Sequence, residues 1–357
     1  MTSPAAGTSH LLGIVEGFYG RAWTWADRYN YAGTLAQMGL NSYIYAPKSD
    51  PYLRKNWRGH WPEQEWQSLL EFSRQCRSHG VSWGVGLSPF ELYKNYDGSQ
   101  QQALKKKIRQ LNELNPDLLA VLFDDMPGEQ SDLAQCQYQI VADICEQTCA
   151  ERILVCPTYY SHDPVLEQFF GKMPAAYWKQ LGQFMPEGVE LLWTGNKVCS
   201  DSISGADLET ISECFQRLPT LWDNYPVNDG RQACKHLNLG QLPRRSVVLG
   251  QHIQGHLCNP MNQPNLSRMP LASLAKLHAG NSRYCYESIL TSFAGEQVGR
   301  CLAADLKAFQ NTGLDGLSDK QLSFYKARYS QLPGVYAKEV LDWLRGEYAF
   351  DPECLTG

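Results

Sequence analysis

Two adjacent carboxylates, Asp124 and Asp125, follow the apolar run Ala120, Val121, Leu122 and Phe123 in the stretch AVLFDDMPG, residues 120–128. An apolar run of that length bounded by turn residues marks a buried strand. Charge at the tip of such a strand is costly unless it is paired or used. Neighbouring like charges resist double ionisation, so such a pair can keep a proton for donation near neutral pH. The bland alternative is a helix cap or a salt-bridged pair in the loop before Ser131. Paired acids suggest glycoside hydrolysis, but the ordinary scheme sets two carboxyls about 5 to 9 Å apart, on opposite sides of the scissile bond. Neighbours on one strand tip suit the substrate-assisted variant instead. There a substrate acetamido oxygen attacks the anomeric carbon, one acid orients the amide and the other protonates the leaving oxygen.

Other polar residues sit where further strands should end. Lys48 and Asp50 in APKSD could bind sugar hydroxyls, although a lone lysine is more often a surface residue. CPTYY ends at Tyr160, whose ring could wall a pocket and whose hydroxyl could donate; anchoring a loop is the plainer role. LWDNYPVND gathers Trp222, Asp223, Asn224, Tyr225, Asn228 and Asp229 within nine residues. Rings that cover apolar sugar faces and amides that pair with hydroxyls fit carbohydrate, and a hydrogen-bonded turn fits equally. EGFYG brings Glu16 and Gly17 to a first strand end, where a glycine allows close backbone approach or simply a turn. Trp193, Val198 and Cys156 have ordinary core roles, and Asn259 before Pro260 is a common turn former.

These residues need a scaffold, and the sequence supplies a repeating one. Strand-like runs recur at 11–20, 41–47, 81–89, 118–126, 152–160, 189–195, 219–226 and 252–260. Each is apolar in its first half and polar or aromatic in its second. Between them lie stripes of helical period: Trp66, Leu69, Leu70 and Cys76; Leu104, Ile108 and Leu111; Leu133, Ile140, Ile144 and Cys149; Leu208, Ile211, Phe215 and Leu218. Eight alternations predict an α/β protein, a closed (β/α)8 TIM barrel, in which strand C-terminal ends carry the chemistry. An open dinucleotide-binding sheet would want a GxGxxG turn after its first strand, and GIVEGFYG is not one. From about residue 270 the alternation stops. The expected organisation is a catalytic barrel over 11–280 and a small helical C-terminal extension over 281–357.

The composition excludes several function classes. With a formal net charge of −5 and no basic stripe, nucleic acid and anionic membrane are not expected partners. Twelve cysteines are scattered without a CxxC pair or zinc-module spacing, so buried free thiols are expected rather than metal ligands. The first residues lack a basic stretch followed by a long apolar one, and no run approaches a membrane span. The expectation is a soluble protein of the reducing cytoplasm.

Taken in order, GIVEGFYGR, YIYAPKSD, LFDDM, CPTYY, LLWTGNKV, LWDNYPVND and LCNPM resemble glycoside hydrolase family 84 over roughly residues 11–275. Its members are β-N-acetylglucosaminidases, including protein O-GlcNAcases and enzymes long labelled hyaluronidases. The resemblance implies exo-acting, retaining hydrolysis of terminal β-linked N-acetylglucosamine through an oxazoline, with no metal and no cofactor. It assigns Asp124 to the 2-acetamido group and Asp125 to general acid, then base. Gly17 through its backbone, Lys48, Asn224, Asp229 and Asn259 would hold the sugar. Tyr160, Trp222, Val198 and Cys156 would form the acetamido pocket. The partner would be a β-GlcNAc-terminated glycan, glycoside or glycoprotein. Alternatives are a carbohydrate-binding pseudoenzyme or an endo-acting hyaluronan hydrolase. One departure stands out: Tyr159 occupies a position where the family pattern leads one to expect an acidic residue.

Overall fold

The structure, a computed structural model, describes residues 10–245, 247–280 and 283–356. Each of the eight strand-like runs contains one strand: β1 Leu11–Glu16, β2 Ser42–Tyr45, β3 Ser82–Leu87, β4 Leu118–Leu122, β5 Arg152–Cys156, β6 Glu190–Trp193, β7 Thr220–Asp223 and β8 Gly255–Cys258. All pair in parallel with their sequence neighbours, and β8 returns to β1 with Ile14 opposite Cys258. The sheet is therefore the closed (β/α)8 barrel, with its edges eliminated.

The surrounding helices are α1 Trp25–Met38, α2 Glu63–Ser78, α3 Gly98–Glu113, α4 Leu133–Cys145, α5 Val165–Phe170, α6 Tyr177–Phe184, α7 Gly205–Phe215 and α8 Pro264–His278. Their starts follow local chemistry. Thr24 and Asp27 form a reciprocal capping box at α1, and Ser204 and Asp207 form one at α7. Gly39, with φ 80°, ends α1 in the left-handed conformation that glycine adopts without a steric cost. Two helical stripes stop short of the sequence expectation. Helix α4 ends at Cys145, and the exposed Cys149 instead donates its N–H to Asn112 Oδ1 at 3.0 Å. Helix α7 ends because Gln216 turns left-handed, which leaves Leu218 40% exposed. The alternation also lapses between β7 and β8, where the described residues of the connection form only short 3-10 turns, at Ala233–Lys235 and Val247–Gln251.

Five further α-helices follow among the described residues, α9 Tyr286–Ala294, α10 Glu296–Lys307, α11 Gly313–Gly316, α12 Asp319–Ser330 and α13 Gly334–Leu344, with a π-helical turn at Ala308–Thr312 between α10 and α11. They share a second apolar cluster with α8, built on Leu266, Met269, Leu302, Phe309, Tyr329, Val340 and Trp343. Glu339 of α13 also caps α8, accepting the N–H groups of Asn265 at 3.0 Å and Leu266 at 2.9 Å. Apolar packing and a buried cap thus hold these helices against the barrel. No helix among the described residues is long and apolar enough to cross a membrane.

Candidate active site

The C-terminal ends of the barrel strands open into one cavity, with about 460 Å³ of space free of protein atoms, part of it open to solvent. All the residues that the family resemblance assigned to catalysis or sugar binding line it: Gly17, Lys48, Asp124, Asp125, Cys156, Tyr160, Val198, Trp222, Asn224, Asp229 and Asn259. The ends of seven strands, all but β3, and the loops after them deliver these residues, so the geometry gathers side chains far apart in sequence.

Consecutive side chains on a strand point to opposite faces, which would send one of two adjacent aspartates away from the cavity. Strand β4 ends at Leu122, however, and Asp125 takes φ 55°. This left-handed conformation is uncommon outside glycine, although aspartate tolerates it better than most residues. Both carboxylates consequently face the same space with different company. Asp124 is buried and forms an ion pair with Lys48 through Oδ2. Its Oδ1 is buried and has no hydrogen-bond partner among the described residues. Asp125 is half-buried, and its Oδ2 accepts from the Tyr19 hydroxyl at 2.7 Å while Oδ1 accepts from Tyr160 at 3.2 Å. The Arg54 guanidinium donates to the Asp125 carbonyl at 3.0 Å and to Ser88 Oγ at 3.1 Å, which fixes the turn. The doublet is therefore no isolated like-charge pair. Lys48 balances Asp124, and Asp125 is oriented by two phenols.

A second group forms a chain of amides. Asn224 Oδ1 accepts from Trp222 Nε1 at 2.9 Å and from Asn259 Nδ2 at 3.1 Å, while its own Nδ2 donates to the Val198 carbonyl at 2.9 Å. Asn259 Oδ1 accepts the Gly17 N–H at 3.2 Å. Each amide keeps one N–H for a ligand, because a primary amide has two. Gly17 is a glycine for a steric reason: a Cβ there would lie 2.4 Å from the Trp222 ring. Asp229 accepts the Tyr19 N–H at 2.7 Å. Burial pushes its carboxyl up to about 6, and the charge of Asp125 adds to the rise. Cys156 lies in the floor, where burial drives its thiol well up and leaves it a neutral wall.

Several polar residues of the same motifs serve the scaffold instead. Asp50 caps a short turn by accepting the Tyr52 N–H at 2.9 Å and takes Tyr45 and Trp61 donors at 3.0 and 2.8 Å. It lies outside the cavity lining, so its expected sugar contact is not found. Glu16 is fully buried against Arg28 at 2.7 Å. Asp223 points away from Trp222, as strand alternation requires, and both its oxygens are held by Arg245 at 2.8 and 2.7 Å. His256 Nε2 lies 2.9 Å from the same carboxylate. Asp223, His256 and the adjacent Cys258 are close enough to ligate a cation, but the guanidinium already neutralises the carboxylate. Asn228 donates to the His236 carbonyl at 3.0 Å, and Tyr225 to the Gly240 carbonyl at 2.7 Å. Tyr159 ties its own loop to the end of α5 by donating to the Gly171 carbonyl at 2.7 Å.

Sequence reasoning missed Tyr19, Arg54, Thr194, Cys199 and Val227, together with Cys354 and Thr356 from beyond α13. Tyr19 stands inside the quoted EGFYG, two residues past Gly17, and its place in that loop was a usable signal. Thr194 and Val227 likewise stand inside LLWTGNKV and LWDNYPVND, whereas no local pattern marks Arg54, Cys199, Cys354 or Thr356.

Comparison with known proteins places this arrangement. A family model described as beta-N-acetylglucosaminidase matches residues 12–311. Protein O-GlcNAcase of Rattus norvegicus is 30% identical over 293 residues, covering 78% of this chain and 31% of that protein. The Mus musculus protein of the same name is 30% identical over 283 residues, covering 76% and 30%. The chain thus spans about a third of the length of these curated relatives. A solved structure of an O-GlcNAc hydrolase variant from Thermobaculum terrenum superposes with a TM-score of 0.76 at 27% identity, covering 94% of this chain and 80% of that one.

Proposed function

The chain belongs to the β-N-acetylglucosaminidase family, glycoside hydrolase family 84, and from that premise we propose that its barrel mouth removes terminal β-linked N-acetylglucosamine by substrate-assisted, retaining catalysis. The observation that carries the proposal is the buried, unpartnered Oδ1 of Asp124 beside a second carboxyl that faces the same cavity. A buried acceptor calls for a donor, and the N–H of a 2-acetamido group is one. Held there, the amide turns its carbonyl oxygen toward the anomeric carbon. That oxygen attacks C1 as the glycosidic bond breaks. Asp125 transfers its proton to the leaving oxygen, and Asp124, supported by Lys48, stabilises the positive charge growing on the amide. The oxazoline then opens as water attacks C1 and gives its proton to Asp125, so the configuration at C1 is retained.

The test compares an aryl β-N-acetylglucosaminide with its N-trifluoroacetyl analogue and with the corresponding β-glucoside. The rate is expected to fall steeply as the amide oxygen weakens and to vanish on glucose. Equal rates would mean that a protein carboxylate attacks C1. Product analysis on a GlcNAc oligomer should show single sugars released from the chain end; internal cuts would point to the endo-acting reading. A bound sugar with no turnover would point to a pseudoenzyme. No disulfide joins cysteines among the described residues, which supports the cytoplasm as the proposed location.

Two further outcomes are expected at the sugar pocket. Gly17→Ala should push the Trp222 indole out of the wall and cost about 10²-fold in kcat/KM, since small misplacements are expensive in such sites; a wild-type value would show that the ring has room to move. The second concerns pH. Asp229 is ionised above about 6 and protonated below it, so its hydrogen bond to a sugar hydroxyl loses the assistance of the charge as pH falls through that value. KM should therefore rise below pH 6, and Asp229→Asn should remove the inflection. The effect on stability has the opposite sign. A raised carboxyl favours the protonated fold, so its contribution is present below the ordinary 3.8 and is lost as pH rises through about 6.

A further inference from the structure

We propose that residues 351–356 form the leaving-group wall of this site and discriminate against polypeptide leaving groups, an inference that rests on the hydrolytic reading above.

After α13 the chain does not stay with its helical neighbours but returns to the barrel mouth. The Arg231 guanidinium sits 4.5 Å from the Phe350 ring centroid. Asp351 then closes a tight turn, its carbonyl accepting the Cys354 N–H and its Oδ1 the Glu353 N–H, both at 3.0 Å. Glu353 pairs with Lys55, in the loop after β2, across 298 residues of sequence. Between these anchors Cys354 is buried, and both it and Thr356 line the cavity. The Thr356 hydroxyl lies 3.4 Å from the Tyr160 hydroxyl. Tyr160 spends its single proton on Asp125 Oδ1 at 3.2 Å, so Thr356 must be the donor in that contact. The segment therefore stands two hydrogen bonds from the proposed general acid.

That position identifies the side it guards. A general acid must lie within hydrogen-bond reach of the glycosidic oxygen, and the group beyond that oxygen is the leaving group. A sugar or aryl leaving group extends from the oxygen along one line. A serine or threonine in a polypeptide carries main chain in two directions and needs the cleft open on both sides. A wall anchored at Phe350 and Glu353 leaves room for the first and crowds the second.

The experiment measures kcat/KM on an aryl β-N-acetylglucosaminide and on a short peptide carrying O-linked N-acetylglucosamine, and reads their ratio. Three proteins are compared: the unaltered chain, one truncated after Phe350, and one carrying Phe350→Ser with Glu353→Lys, which loosens one half-buried and one exposed anchor. Loss of the Thr356 contact can slow the proton transfer, but it does so for both substrates and cancels in the ratio. The ratio of peptide to aryl activity is expected to rise about tenfold or more in both variants. A ratio that stays put, whether the two rates hold or fall together, would make the segment merely structural and overturn the proposal. An unaltered chain inactive on the aryl sugar would instead overturn the hydrolytic reading itself. The two failures are therefore distinct.

Discussion

Asp125→Asn is expected to lower kcat/KM by about 10²- to 10⁴-fold on N-acetylglucosaminides with alkyl or sugar leaving groups, the usual span for loss of a general acid. The loss should shrink toward zero as the leaving group becomes a better anion, because a nitrophenolate departs without a proton. The fold gives no reason for the variant to fail otherwise. Asparagine shares the tolerance of aspartate for the left-handed backbone at φ 55°, and its carbonyl oxygen can still accept from one of the two tyrosine hydroxyls that reach the site. The check is a plot of log kcat/KM against leaving-group pKa, which should steepen in the variant. Parallel lines would remove Asp125 from proton transfer.

Asp124→Asn is expected to lose activity to a similar extent, about 10²- to 10³-fold, but evenly across the same leaving groups. Its carboxylate acts on the nucleophilic amide rather than on the departing oxygen. A second consequence separates the two variants. Asp124 is the counter-charge of Lys48, and both side chains are buried, with 7% and 4% of their surface exposed. Removing one member of a buried pair strands the other, at a cost of about 3 kcal/mol. Thermal unfolding should therefore drop clearly for Asp124→Asn and stay near wild type for Asp125→Asn. Full activity in the Asp124 variant would exclude it from the mechanism.

The barrel was readable because closure around a parallel core demands eight apolar runs at regular spacing, and each run ended in residues too polar for a core. The helix ends were less readable: a periodic stripe continues past Cys145 and Phe215, whereas the helices stop there, at Gln216 through a backbone turn with no side-chain signature. At the site, residue type alone could not separate Asp50 from Asp124. Both follow strand ends, yet one is saturated by Tyr45, Tyr52 and Trp61 and the other keeps an open oxygen. Strand alternation sends Asp223 and Trp222 to opposite faces, which grouping the two in one sugar-fitting motif overlooked. Arg54, Cys354 and Thr356 carried no local signal, since they reach the cavity from loops whose course depends on packing elsewhere.

The hydrogen bonds around the cavity also bear on the order in which the molecule is assembled. Gly17 meets Asn259 across 242 residues, Tyr19 meets Asp229 across 210, and Tyr160 meets Thr356 across 196. Contacts of that separation close large loops and form late, after local helices and neighbouring strand pairs. During synthesis, a ribosome-bound chain can bury most of its barrel before residue 356 emerges, and until then its mouth lacks one wall. Full selectivity is thus acquired only once residue 356 has reached Tyr160, and a chain caught before that contact forms would be more permissive.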